Sequence, residues 1–159
     1  MATMNLLSEI KSVDSIPCLK LAIKELFPNA ILPEINEEIS FPVAEDRFKI
    51  EIEDIDYSYF FEKIHTDRIA DTALDCMSQN IENDYAEFKI SRQAALAGKI
   101  AFVLQNETPL GGVFELTLHS LNLCAWIEEK TWHKGREAIP REINDELKMR
   151  NDGVPQDWF

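Results

Sequence analysis

The stretch Thr108 to Lys130, TPLGGVFELTLHSLNLCAWIEEK, constrains this chain more than any other. At helical spacing it sets Leu110, Val113, Phe114, Thr117, Leu118, Leu121, Cys124 and Ala125 on one face. Leu116, Leu123, Trp126 and Ile127 widen that face until little of the middle is polar. A helix apolar nearly all round belongs at the centre of a core rather than on a surface. Thr108 suits the N-cap and Pro109 the first helical residue, while Gly111 and Gly112 weaken the first turn, so the helix begins in earnest at Val113.

The remaining chain arranges itself around that expectation. Leu6, Leu7 and Ile10 lead a short first helix ending near Val13. Asp14 or Ser15 caps a second, in which Leu19, Ala22, Ile23, Leu26 and Phe27 recur at three- and four-residue steps until Pro28 stops it. Between Glu38 and Asp54 the period changes to two. Ile39, Phe41 and Val43, then Phe48, Ile50 and Ile52, alternate with polar residues, which predicts an antiparallel hairpin with one buried face. Helices follow over 66–82, 84–105 and 109–130. The small-residue run AALAG at 94–98 allows close helix packing, and Pro140 starts a last helix with Ile143 and Leu147 inward. The expected fold is therefore mainly α: a helical bundle with a small antiparallel β-hairpin, forming a single domain over 1–159. Within it, residues 1–65 are helices plus an acidic hairpin, 66–130 the core bundle, and 131–159 a C-terminal helix and a tail whose Trp158 and Phe159 dock on the body.

Charge is the second constraint. The 159 residues carry a formal net charge of −13. Direct binding to a phosphate backbone needs Lys and Arg to displace counterions, so nucleic acid is excluded as a direct partner, and the field favours steering toward a basic protein. From Glu34 to Glu62, ten acids stand against Arg47 and Lys49, a net of −8. Beside this run lie Tyr57, Tyr59, Phe60 and Phe61. The candidate partner-binding residues are thus Glu45, Asp46, Glu51, Glu53, Asp54 and Asp56, with Tyr57 and Tyr59 as aromatic anchors; core packing is the equal alternative for the aromatics at 57–61. No basic segment precedes an apolar one at the N-terminus, and no run nears the roughly 18 apolar residues of a membrane span. Cys18, Cys76 and Cys124, odd in number and set in apolar patterns, read as reduced core thiols of a cytoplasmic protein.

Catalytic patterns do not assemble. Glu62 and His65 have the E-x-x-H spacing of di-iron bundles, but His119 and His133 follow Glu115 and Glu129 at four residues, so the second copy is missing. Cys124 with His119 or His133 makes a nucleophile pair on paper only, because position 124 is expected to be buried and inert. Gly111–Gly112 has no following Lys-Ser/Thr and is no phosphate loop. Neither a catalytic residue, a metal nor a cofactor is expected. Residues 134–153, KGREAIPREINDELKMRNDG, resemble the loop–helix of the AbrB/MazE-type swapped-hairpin DNA-binding family; only six residues follow Gly153 and no Val-rich strand precedes Lys134, so the strands of that fold are missing. Binding is therefore the expected class: an acidic protein-binding module, in its most economical form an immunity or inhibitor protein neutralising a basic toxin such as a nuclease. The alternatives are a non-catalytic subunit or enzyme with its site near the bundle histidines, and a phage- or plasmid-type nucleic-acid mimic.

Overall fold

Where helical spacing predicts one helix over 109–130, the computed structural model, which describes residues 2–11, 14–33, 48–104 and 106–138, has a β-strand and then a short helix. The sequence VFELTLH supports both periods. Taken every second residue, Phe114, Leu116 and Leu118 are fully buried, while Glu115, Thr117 and His119 turn to the other side. The strand wins because its flanks forbid a continuous helix. Gly111 and Gly112 take φ of 85° and 82° before it, and Asn122 takes φ of 53° after it. Left-handed residues cut a right-handed helix, leaving pieces too short to be stable alone.

The elements in chain order are β1 (Thr3–Ile10), α1 (Ile16–Leu26), β2 (Phe48–Ile52), α2 (Ser58–Thr66), α3 (Ala70–Ser78), β3 (Tyr85–Ser91), α4 (Arg92–Leu96), β4 (Phe102–Val103), β5 (Val113–His119) and α5 (Leu123–Lys130), followed by a 3-10 turn at Lys134–Glu137. The five strands form one antiparallel sheet in the order β2-β1-β5-β3-β4. The fold is thus α+β, with helices on a sheet, and the mainly helical bundle expected from sequence is corrected. Two further segments expected to be helical are strands. Met4, Leu6, Ser8 and Ile10 alternate inward along β1, and Ala86, Phe88 and Ile90 do so along β3.

Local punctuation sets the remaining boundaries. Ser15 caps α1, its Oγ accepting from the Cys18 N–H at 3.4 Å, and Pro17 sits in the first turn. Ser91 ends β3 and caps α4, accepting from the Ala94 N–H at 3.3 Å. Gly98, at φ 74°, stops α4: the Gly98 and Lys99 N–H groups donate back to Ala95 and Ala94. The AALAG run is therefore a helix end rather than a helix middle. The 48–52 strand appears as expected, but its described partner is β1, registered Leu6 to Ile52 and Ser8 to Ile50. The expected first hairpin strand (39–43), Glu45, Asp46, the last helix from Pro140 and the terminal tail lie outside the described residues.

One face of the sheet carries the core. The registers align Ile52, Leu6, Leu116 and Phe88 in a row across four strands, all buried. Against this face pack Ile23, Leu26 and Phe27 at α1, Phe60, Phe61 and Ile64 of α2, Leu74 and Met77 of α3, and Leu123 and Ile127 of α5. Phe27 stacks on Phe60 at 5.3 Å and Phe60 on Phe88 at 6.4 Å, which ties the helix layer to the sheet. Burying each large apolar side chain contributes roughly 1.5–3 kcal/mol. The alternation that fills this face puts the polar half of every strand on the other.

Candidate functional site

The opposite face of the sheet is the most distinctive surface among the described residues. Its rows read Glu51–Leu7–Glu115–Lys89–Val103, then Asn5–Thr117–Glu87, then Thr3–His119–Tyr85. Each residue is half-buried or exposed, and at one edge Cys76 of α3 and Gln79 just after it border Glu87, Lys89 and Val103. Asn5, Leu7, Glu51, Tyr85, Glu87, Glu115 and Thr117 line a shallow depression of about 260 Å³. Glu51 and Glu115 flank Leu7 on either side, two strands apart, or roughly 10 Å. Lys89 pairs with Glu115 at 3.8 Å, and both side chains keep much of their exposure, so the pair is weak. The floor thus carries three carboxylates beside one apolar side chain and one aromatic ring.

The residues singled out from sequence divide between this face and the turn beside it. Glu51 stands on the open face. Asp54 takes φ of 48° in the turn after β2, and its N–H donates to Asn5 Oδ1 at 2.8 Å. Asp56 accepts from the Ser58 hydroxyl at 2.6 Å, the Ser58 N–H at 3.0 Å and the Asn29 side chain at 3.0 Å. These hydrogen bonds, those from Ser58 foremost, lower its carboxyl to about 2 and fix the entry to α2. Glu53 is exposed just beyond β2. Tyr57 belongs largely to the packing: its ring meets Phe61 and Trp126 edge-on at 5.7 and 5.5 Å, and its hydroxyl donates to the Ala2 carbonyl at 3.3 Å. Phe60 and Phe61 are buried, and Tyr59 is 40% exposed. Glu87, Glu115, Asn5, Thr117 and Tyr85 are not among the candidate site residues expected from sequence, because helical spacing over their segments keeps them apart. The signal available for them was the strict alternation in YAEFKIS and VFELTLH.

Two buried arginines hold the framework. Arg92, 7% exposed, donates from Nε to the Gly111 carbonyl at 2.6 Å, from Nη1 to Ser8 Oγ and the Glu9 carbonyl at 3.2 Å each, and from Nη2 to Asp14 Oδ2 at 2.9 Å. It joins the end of β1, the entry to α1 and the turn before β5. Arg136 donates to Asp71 Oδ1 at 3.0 Å, Thr131 Oγ1 at 3.1 Å and the Glu128 carbonyl at 3.2 Å, which pins the 3-10 turn to α3 and α5. Burial pushes the Asp71 carboxyl up, but hydrogen bonds from His133 and Arg136, together with the Arg136 charge, outweigh it and hold the group below the ordinary range.

The histidines do not converge. The His65 ring meets the Lys130 carbonyl at 2.7 Å, and His119 is exposed at the end of β5. His133 Nδ1 accepts the Gly135 N–H at 3.2 Å, so the proton sits on Nε2, which donates to Asp71 at 3.0 Å. With both ring nitrogens engaged, His133 has no free lone pair for general-base work. Among the described residues no group of three or more His, Cys, Asp or Glu could hold a metal ion. No described helix is long and apolar enough to cross a membrane. Cys18 and Cys124 are exposed, contrary to the expected core placement, and burial raises the half-buried Cys76 thiol.

No family model matches the chain. A UPF0201 protein from Metallosphaera sedula is 34% identical over 85 residues, spanning 50% of this chain and 59% of that protein's length. The chain also shares its fold with crystallographic UPF0201 and DUF54 proteins. The UPF0201 protein from Methanococcus jannaschii superposes with a TM-score of 0.67 at 16% identity, covering 83% of this chain and all (100%) of the other. A DUF54 protein from Methanothermobacter thermautotrophicus gives 0.54 at 14% identity, covering 81% and 91%. These likenesses overturn the functional expectation from sequence. The proteins it is similar to are UPF0201 and DUF54 proteins of an α+β fold, and nothing about them indicates an immunity protein or a toxin inhibitor. The histidine-centred site, expected at the mouth of the helical bundle, falls with it, and the nucleic-acid mimic, read from the carboxylates, has no support in these likenesses either.

Proposed function

We propose that this chain is a non-catalytic binding module, working in the cytoplasm, whose open sheet face takes a cationic segment of a partner protein. One observation carries the reading: Glu51, Glu87 and Glu115 line a single depression with Asn5, Leu7, Thr117 and Tyr85, and the described cations on that face, Lys89 and Lys49, stand opposite Glu115 and Glu9. A Lys- or Arg-bearing strand laid over this floor meets carboxylates at two-strand spacing, an apolar contact at Leu7, and the ring of Tyr85, which is 44% exposed. The net charge of −13 supports a protein ligand over a nucleic acid or an anionic membrane surface, both of which it repels. The separated histidines support the non-catalytic reading. The exposed thiols of Cys18 and Cys124 fit a reducing compartment.

The test is isothermal titration with an alternating Lys–Ser octapeptide at rising salt. Binding should weaken as salt screens the carboxylates, and Glu51→Lys with Glu87→Lys should abolish it. Glu25→Lys with Glu129→Lys, an equal charge change on the helix layer, should cost only a few-fold. Equal losses for the two double variants would reduce the interaction to net charge and remove the sheet face from the account.

A further inference from the structure

A second concave surface lies away from the open face, between α1 and α4. Ser15, Leu19, Ala22, Arg92, Leu96 and Leu110 line an open cleft of about 310 Å³, within the range of small-molecule sites. Its floor is apolar, made by Leu19 and Ala22, both buried on α1. Leu110 stands at its mouth, 85% exposed, and Leu96 shares the rim. An isolated exposed leucine needs no explanation, but Leu110 is held where it is. It precedes two left-handed glycines, and the carbonyl of Gly111 accepts the Arg92 Nε–H at 2.6 Å. The guanidinium lies directly against Gly112, where an added Cβ would come within 2.7 Å of Cζ. The buried arginine therefore fixes the turn that carries the rim leucine.

The polar end of the cleft is rich in donors. Arg92 has five N–H groups, and four meet the acceptors already described. The fifth, on Nη2, has no acceptor among the described residues, and Arg92 forms part of the cleft wall. The Ser15 hydroxyl lines the same cleft, accepting from the Cys18 N–H and keeping its own proton to give. Charge is balanced there, because Asp14 sits 2.9 Å from Nη2 and its Oδ2 also takes the Lys11 N–H at 2.7 Å. A ligand anion would meet the Asp14 carboxylate and the −13 field of the whole chain. An uncharged acceptor meets neither penalty.

We propose that the α1–α4 cleft is a binding site for a small uncharged amphiphile: an apolar body over Leu19, Ala22, Leu96 and Leu110, and a carbonyl or amide oxygen accepting from Arg92 Nη2 and the Ser15 hydroxyl. This site is independent of the sheet face and stands or falls separately from it.

The test uses the full chain, with octanamide and octanoate as probes, by ligand-observed saturation-transfer NMR and titration of the amide spectrum. Octanamide should bind saturably, shifting the amides of residues 15, 18, 93, 96 and 111. Octanoate, matched in length but anionic, should bind several-fold more weakly. Leu110→Glu changes an exposed side chain, leaves the fold intact and should weaken octanamide roughly tenfold or more. Ser15→Ala should weaken octanamide and leave octane-1,2-diol, which brings its own donors, less affected. Absence of saturable octanamide binding, octanoate binding as tightly as the amide, or unchanged affinity in Leu110→Glu would each overturn the proposal.

Discussion

Gly112→Ala is the substitution that separates a conformational cost from the loss of a buried ion pair. At φ 82° an alanine pays the left-handed penalty, roughly 1–2 kcal/mol, less about 0.4–1 kcal/mol recovered from the stiffer unfolded chain. That conformational part is shared with Gly98→Ala, at φ 74°, where the new Cβ meets only Glu25 Oε2 at an ordinary 3.5 Å. At position 112 the Cβ would also sit 2.7 Å from Arg92 Cζ and 2.8 Å from Nε. The guanidinium is buried and held on four acceptors, so it cannot swing to solvent without leaving Asp14, Ser8 and two carbonyls. Displacing a buried charge from its partners costs about 3–5 kcal/mol. Gly112→Ala should therefore destabilise by about 4–6 kcal/mol and Gly98→Ala by about 1 kcal/mol. Urea unfolding followed by circular dichroism reads both as shifts in midpoint. In an Arg92→Ala background the Gly112→Ala increment should fall to about 1 kcal/mol, because the atom it collides with is gone. Equal costs for the two glycine substitutions, or an increment undiminished in Arg92→Ala, would refute the claim that Arg92 and Gly112 form one unit.

Other predictions test the remaining parts of the structure. Leu116→Ala should cost about 2–5 kcal/mol, and its neighbour Thr117→Ala about 0.5 kcal/mol or less; comparable costs at both positions would contradict the strand alternation. The Asp56 and Asp71 carboxyls lie below their ordinary value of 3.8, so both contribute stability that is complete above that range and lost as pH falls, down to about 2 for Asp56. Unfolding midpoints measured from pH 5 to pH 2.5 should drop, and Asp71→Asn should flatten part of that slope; a slope identical to the parent's would remove Asp71 from the account. With an aromatic disulfide reagent, Cys18 and Cys124 should react quickly in the native state and the raised, half-buried Cys76 slowly. Three equal rates would contradict that placement.

What could be read from the amino acids depended on whether one period stood alone. The helix α1 was legible because Ser15, Pro17 and Pro28 bracket a pattern that fits only 3.6. The strand β2 was legible from Phe48, Ile50 and Ile52, but not its neighbour, since strand pairing is a long-range choice that no local period encodes. Segments 85–105 and 109–130 satisfied helix and strand spacing together. There the deciding marks were single residues: Ser91 as a cap, Gly98 as a stop, and Gly111, Gly112 and Asn122 in left-handed backbone. Misreading β1, β3 and β5 as helices hid the open face, because Asn5, Glu87, Glu115 and Thr117 converge only when three strands lie side by side. Glu51 was found by its acidity alone. Asp54 and Asp56, found the same way, shape the turn into α2. Arg92 and Arg136 carried no local signal, since a buried arginine and a surface one look alike in sequence.

The most direct measurement is where a cationic peptide lands. Titrating the Lys–Ser octapeptide into isotopically labelled protein at low salt, the account predicts the largest amide shifts at residues 5, 7, 51, 87, 115 and 117, with the helix layer nearly silent. Shifts centred on α1, α3 or α5, or spread evenly around the molecule, would contradict it.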